Sequence, residues 1–294
     1  MNKTSKKVIG IGELLWDVLP DGKKLGGAPC NFVYHCQKQG REGLVLSAVG
    51  KDKDGMEILE LLKTKGLSSE LIQVNDKPTS TVDVALDENG VPKFTIHENV
   101  AWDFISYDES LRQIVPEADI VCFGTLAQRN SFSRNTIVKT LKTCKPDSLI
   151  VYDVNLRQNY YSPEIIENSL QLCNVLKLNE EELPAVCDML DIFGDSEEKK
   201  AIHLLNRYSL KLVALTKGTN GSLLLTTTEK NYLPTPVVEV KDTVGAGDSF
   251  TAAMIVGFAE GASIKELHNK AVEISAFVCT QNGAMPEYYQ EQKP

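Results

Sequence analysis

Short runs rich in β-branched residues alternate with longer amphipathic segments along most of this chain, and that alternation restricts the fold more than any other feature. Six runs predict buried strands: KVIGI near residue 9, LVLSAVG at 44–50, DIVCFG at 119–124, SLIVYDVN at 148–155, VLKLN at 175–179 and KLVALTKG at 211–218. Apolar residues at three- and four-residue spacing predict helices in DGMEILELLKTKG, SRNTIVKTLKTC, PEIIENSLQLC and SEEKKAIHLLNRY. We therefore expect an α/β fold, with a mainly parallel central sheet and helices on both faces.

One segment interrupts this alternation. Residues 79–99, TSTVDVALDENGVPKFTIHEN, form two alternating runs around Asn89-Gly90, which is a strong hairpin signal. We expect a small β lid made mainly by residues 79–100 with part of 13–27, and one domain over residues 1–294. The apolar residues that we expect to cover a ligand site, and to offer a surface for a homodimer, are Val82, Val84, Leu86, Phe94 and Ile96.

Composition and charge narrow the choice of partners. The 294 residues are 42% hydrophobic and carry a formal net charge of −9, which opposes extended contact with nucleic-acid phosphates. The seven cysteines contain no Cys-x-x-Cys pair, so neither a disulfide framework nor a zinc site is indicated. The N-terminal segment matches neither a signal peptide nor a membrane span. We expect a cytoplasmic protein that binds small molecules and no membrane.

Polar residues follow two of the predicted strands. VYDVNLR places Asp153, Asn155 and Arg157 after one strand, and LKLNEEEL places Asn179 and Glu182 after the next. Ligands of open α/β sheets lie beyond the carboxyl ends of strands. Asn179 and Glu182 could hold a hydrated Mg²⁺, or they could be an N-cap and a first-turn acid of a helix.

The segment VEVKDTVGAGDSF contains the most specific signal. Two glycines precede an apolar helical run, so their backbone amides are suited to an anion at a helix N-terminus. Asp248 follows at once. An acid beside an anion site suggests a base that takes a proton from a nucleophile attacking that anion.

Two other glycine-containing segments give weaker signals. LGGAPCN places Gly26-Gly27 and Asn31 at a helix entry, where a polyol could approach the backbone, and LTKGTNGS follows a strand. No P-loop motif occurs, GIGELL has Leu15 where a dinucleotide fingerprint needs its third glycine, and no Gly-x-Ser-x-Gly elbow is present.

GELLWD, GGAPCN, DVNLR, NEEE, TKGTNG and DTVGAGDSF, in this order, resemble the ribokinase-like (PfkB) sugar kinases, and most closely fructokinases. The resemblance spans nearly the whole chain. It departs from the usual pattern at Cys30, where Ala is usual, and at Val154, where Pro is usual. Neither change removes a polar functional group.

The resemblance implies a ribokinase-like fold, ATP with Mg²⁺, and a set of site residues. Asp248 would be the catalytic base, and the amides of Gly245, Ala246 and Gly247 would form the anion hole. The sugar would contact Asp17, Gly26, Gly27, Asn31 and Arg157. The nucleotide would lie along Asn179, Thr216, Gly218, Gly221 and Gly247, with Asn179 and Glu182 near Mg²⁺. The loop around Asp242 could hold a monovalent cation such as K⁺.

The expected reaction is phosphorylation of the C6 hydroxyl of D-fructose by ATP. Three alternatives stay open from the sequence: a ribose kinase, a kinase for the sugar acid 2-keto-3-deoxygluconate, and a non-catalytic sugar sensor. A sensor would be expected to have lost the base or the anion hole. Asp248 and both glycines are present.

Overall fold

The computed structural model describes residues 6–19, 22–86 and 92–288, with backbone alone for residues 19, 84–86 and 92–94. Its strands are β1 (Lys7–Ile11), β2 (Leu15–Leu19), β3 (Gly22–Gly26), β4 (Glu42–Gly50), β5 (Ile72–Asn75), β6 (Ser80–Leu86), β7 (Pro92–Ile96), β8 (Ile120–Phe123), β9 (Leu149–Asp153), β10 (Val175–Asn179), β11 (Leu212–Thr216), β12 (Ser222–Leu225) and β13 (Lys230–Leu233). Its α-helices are α1 (Ala28–Lys38), α2 (Lys53–Thr64), α3 (Glu109–Ile114), α4 (Ser131–Lys142), α5 (Pro163–Leu172), α6 (Glu182–Met189), α7 (Glu197–Arg207), α8 (Ala246–Ala259) and α9 (Ile264–Cys279).

The central sheet has the strand order β13-β12-β11-β10-β9-β8-β1-β4-β5. All neighbours from β11 to β5 pair in parallel, whereas β12 and β13 are antiparallel additions at one edge. The six predicted strands and four predicted helices are confirmed. The parallel arrangement brings the carboxyl ends of β1, β9, β10 and β11 to the same edge of the sheet.

The predicted β lid is a second, four-stranded sheet. Its order is β3-β2-β6-β7, in which β2 runs parallel to β6, and Val82 lies opposite Ile96 across the β6–β7 pair. Both strands of the hairpin are therefore confirmed. The Asn89-Gly90 turn lies outside the described residues, as do the side chains of Val84, Leu86 and Phe94.

Helix α8 explains how the fold holds its site. Its residues from Phe250 to Val256 are all buried, because the helix packs between the sheet, α1 and α9. A helix that is apolar on every side belongs inside a core. No helix in the described ranges has both the length and the apolar composition to span a bilayer. Burial of α8 directs its N-terminus towards the carboxyl edge of the sheet.

Candidate active site

The N-terminus of α8 opens into a cleft of about 1500 Å³ between the two sheets. Gly245 caps the helix in the left-handed region at φ 80°, where residues with a Cβ are strained. A Cβ at this position would also lie 2.6 Å from the Cβ of Ala284. Glycine is therefore needed at 245 on two grounds, and the sharp turn places Asp248 at the cleft wall.

The predicted anion hole requires one correction. The amide of Ala246 donates to the carbonyl of Thr243 at 3.2 Å, because the chain closes a tight turn just before the helix. Within the described part of the chain, the amides of Gly245 and Gly247 have no such backbone acceptor. The turn thus offers two amides and the helix dipole to an anion.

Asp248 is held by Asn31 of α1. The Asn31 amide Nδ2 donates to Asp248 Oδ2 at 2.8 Å, although 217 residues separate the two in sequence. Burial, and after it the nearby Asp153 carboxylate, raise the pKa of Asp248 to about 6, against the opposing effects of Asn31, Lys177 and Arg157. A carboxylate with a pKa near neutrality is suited to general-base catalysis.

A buried ion pair lies beneath this first turn. Lys177 Nζ donates to Asp153 Oδ1 at 3.0 Å, and the two residues are opposite each other on β10 and β9. The Thr251 hydroxyl is 2.9 Å from both Asp153 Oδ2 and the Gly247 carbonyl, and its single hydrogen can bond to one of these two acceptors. A Cβ at Gly247 would lie 3.2 Å from Lys177 Nζ. The pair therefore supports the Asp248 turn from below.

The residues predicted to bind the sugar share one part of the cleft. Its lining includes Asp17, Gly26, Gly27, Asn31 and Arg157, together with Val82 and Ile96 of the lid. Burial raises the pKa of Asp17, and the charge of Arg157 opposes this increase. Gly27 caps α1 at φ 120° and packs so closely on the Glu13 carbonyl that no Cβ would fit.

The residues predicted to bind the nucleotide line the same cleft at the ends of β10 and β11. Thr216 ends β11, and Gly218 and Gly221 follow with φ of 49° and 88° in a tight turn before β12. Thr235 holds this turn, because its hydroxyl accepts the amide of Gly221 at 3.0 Å.

Asn179 and Glu182 cap the N-terminus of α6. This is the alternative to a metal site that the sequence analysis gave for these two residues. Asn179 Oδ1 accepts the Glu182 amide, and Glu182 Oε2 accepts the Asn179 amide, each at 2.8 Å. The described residues contain no cluster of three or more His, Cys, Asp or Glu side chains that could hold a metal. The predicted role of Asn179 and Glu182 near a hydrated Mg²⁺ stays a prediction.

Asp242 bridges two loops at the cleft rim. Its carboxylate accepts the amides of Val244 and Gly283, both at 3.0 Å. This contact stabilises the loop that precedes the Gly245 turn. The predicted binding of a monovalent cation here stays a prediction.

Sequence reasoning missed Glu13 and Lys177 as site residues. Glu13 follows β1 and is 5% exposed, and its Oε1 accepts the amide of Ala28 at 3.2 Å. Burial raises the pKa of Glu13 to about 7. The sequence did contain a signal for Lys177: it lies within the predicted buried strand VLKLN, and a buried lysine is rare unless it is paired.

The raised pKa of Glu13 leads to a stability prediction. A carboxyl with a pKa of 4.5 unfolded and about 7 folded binds more protons in the folded state, so its contribution to stability falls as pH rises from about 4.5 to 7. Glu13→Gln removes this dependence and should raise the free energy of unfolding at pH 8 by about 3 kcal/mol. Denaturant titrations of the variant and the wild type at pH 5 and pH 8 measure this difference in the free energy of unfolding. A variant that is less stable than the wild type at pH 8 would contradict it.

Comparison with known proteins agrees with this geometry. A model of the pfkB family of carbohydrate kinases matches residues 17–290. A sugar kinase from Pyrococcus horikoshii is 29% identical over 97% of this chain and 93% of its own length. Its crystal structure superposes with a TM-score of 0.82, covering 95% of this chain and 94% of that chain, and a second structure of it contains ATP.

Two further relatives have more specific names. Fructokinase-2 of Oryza sativa subsp. japonica is 26% identical over 95% of this chain and 90% of its own length. An ATP-dependent 6-phosphofructokinase of Thermoanaerobacterium thermosaccharolyticum is 25% identical over 95% of this chain and 89% of its own length. The fold and the site define an ATP-binding sugar kinase. This chain belongs to the pfkB family of carbohydrate kinases.

Proposed function

We propose that the protein transfers the γ-phosphoryl group of ATP to the C6 hydroxyl of D-fructose. The observation that carries the proposal is the position of Asp248, which is hydrogen-bonded to Asn31 beside the amides that begin α8. The cleft that it lines also contains Asp17 on the lid side. A base, an anion site and a polyol-binding carboxylate therefore share one cavity.

The proposed chemistry assigns a task to each group. Asp248 accepts the proton of the sugar hydroxyl while its oxygen attacks the γ-phosphorus, and the bond to the β,γ-bridging oxygen breaks. The Gly245 and Gly247 amides would stabilise the charge of the transferred group. Mg²⁺, held near Asn179 and Glu182 through water, would neutralise charge on the ATP phosphates. The loop at Asp242 would hold K⁺.

Fructose is favoured by the charges at the sugar end of the cleft. Asp17 would accept hydrogen bonds from paired hydroxyls, and together with Glu13 and Asp248 it makes this region acidic. A carboxylate or phosphate on the sugar would be repelled unless it were paired. The fructokinase name of the rice relative agrees with this choice.

A sugar acid is the second candidate because of one side chain. Arg157 lines the cleft and is exposed, so its guanidinium could pair with the carboxylate of 2-keto-3-deoxygluconate. This pairing would offset part of the repulsion by Asp17.

A substrate panel tests the proposal. We expect kcat/KM for D-fructose to exceed that for ribose and 2-keto-3-deoxygluconate by at least about tenfold, or about 1.4 kcal/mol in transition-state binding. ADP release measures the rates, and ³¹P–¹³C couplings in the product identify C6 as the phosphorylated position. Fructose 6-phosphate serves as the negatively charged control. A preference for the sugar acid would overturn the fructose assignment and leave the kinase assignment intact.

A further inference from the structure

Glu13 is a buried carboxylate in the cleft, and the proton transfer described above gives it no task. It lies directly beyond the carboxyl end of β1 and lines the cleft that contains Asp248. Its hydrogen bond to the Ala28 amide fixes the side chain against the first turn of α1. The same helix supplies Asn31, which holds Asp248.

Glu13 and Asp248 also line a small cavity of about 20 Å³. A water molecule needs about 10–15 Å³ of such space and two to four polar partners. The cavity has the required volume, and polar residues Thr125, Asp153 and Asn155 also belong to its wall. A water molecule in this cavity would be enclosed by a wall that includes both carboxylates.

We propose that Glu13 is the proton acceptor behind Asp248, and that a water molecule in this cavity passes the proton of the sugar hydroxyl from one carboxylate to the other. The inference rests on the proposed kinase function. It adds a second acid–base residue to the reaction and a route by which the base is regenerated.

The proton balance of this route is complete. The sugar O–H bond breaks and its proton goes to Asp248 as the new oxygen–phosphorus bond forms, and ADP leaves with the electron pair of the broken bond. Asp248 then gives a proton to the water, which gives another to Glu13. Glu13 releases a proton to solvent as the products leave. The sum is sugar plus ATP giving sugar phosphate, ADP and one proton.

The electrostatics of the two groups suit such a transfer. Burial raises the pKa of Asp248 to about 6 and that of Glu13 to about 7, so both groups titrate close to neutral pH and a proton can pass between them at little cost. The negative charge of Asp248 adds to the increase at Glu13. The other titratable or charged groups that face the pair are Arg157 beyond β9, Asp153 on β9, Lys177 on β10, Cys30 on α1 and Cys122 on β8.

The pH dependence of kcat tests the proposal. Both carboxylates must start ionised, so the logarithm of wild-type kcat should fall with a slope approaching two below about pH 5.5. Glu13→Gln keeps an acceptor for the Ala28 amide and cannot take the proton. We expect a slope of one in this variant and kcat about tenfold lower at pH 7, with KM unchanged.

Two further variants separate proton transfer from structural support. Glu13→Ala opens space beside the cavity, and added formate should restore at least half of the lost kcat, which packing alone would not explain. Glu117→Gln is the matched control, because Glu117 precedes β8 at the opposite edge of the sheet. It should retain a slope of two.

One measurement needs no substrate. The carboxyl ¹³C resonance of Glu13 should titrate at lower pH in Asp248→Asn, because removal of a nearby negative charge favours ionisation. An unchanged midpoint, a wild-type slope of one, or a Glu13→Gln profile that superimposes on the wild type would each overturn the inference. If the wild type phosphorylates no sugar, the proposed function fails, and the ¹³C midpoint still decides whether the carboxylates are coupled.

Discussion

Replacement of Asp248 by Asn is expected to lower kcat by about 10²- to 10⁴-fold, the contribution of a positioned general base. Asparagine has nearly the same shape as aspartate and can still bond to Asn31, so sugar and ATP affinities should change little. The neutral side chain also removes a partly buried charge whose pKa is raised to about 6, so the variant should be at least as stable as the wild type at pH 8. Steady-state kinetics with calorimetric titration of the sugar measures both effects.

The matched control for this variant is Asp108→Asn. Asp108 caps α3 by accepting the amide of Leu111, and asparagine is an equally good N-cap. Its kcat should equal that of the wild type. Near-normal turnover in Asp248→Asn would show that another group takes the proton.

Replacement of Lys177 by Met is expected to have the largest effect on stability. The side chains of Lys177 and Asp153 are 9% and 10% exposed, and loss of the lysine leaves a buried carboxylate without its cation. Breaking a buried pair in this way costs about 3–5 kcal/mol, whereas replacing both partners by neutral residues is often nearly neutral. The double variant Lys177→Met with Asp153→Asn should therefore recover most of the lost free energy of unfolding.

Denaturant unfolding of the two single variants and the double variant gives the coupling between the residues. Lys145→Met is the control, because Lys145 pairs with Asp119 at the opposite edge of the sheet and both side chains are about one-third exposed. Such a pair contributes about 1 kcal/mol or less. Additive losses in the double variant would show that Lys177 and Asp153 do not depend on each other.

Local sequence patterns were sufficient for most of the central sheet and for the hairpin. Three four-residue strands, β5, β12 and β13, escaped prediction, since IQVN, SLLL and KNYL are short. Their place in the sheet depends on pairing with β4, β11 and β12, which contribute backbone hydrogen bonds that no local pattern records.

The site also combines features that follow from local sequence with features that depend on contacts between distant parts of the chain. DTVGAGDSF by itself determined that a glycine turn precedes a buried helix with an acid in its first turn, because glycine conformation and helix polarity are local properties. Only the tertiary structure decided that Asn31 would hold Asp248 and that Lys177 would pair with Asp153. Glu13 became a site residue for the same reason: its raised pKa comes from burial against elements distant in sequence. Burial and charge at a site are sums over neighbours in space, and the fold alone determines which residues those neighbours are.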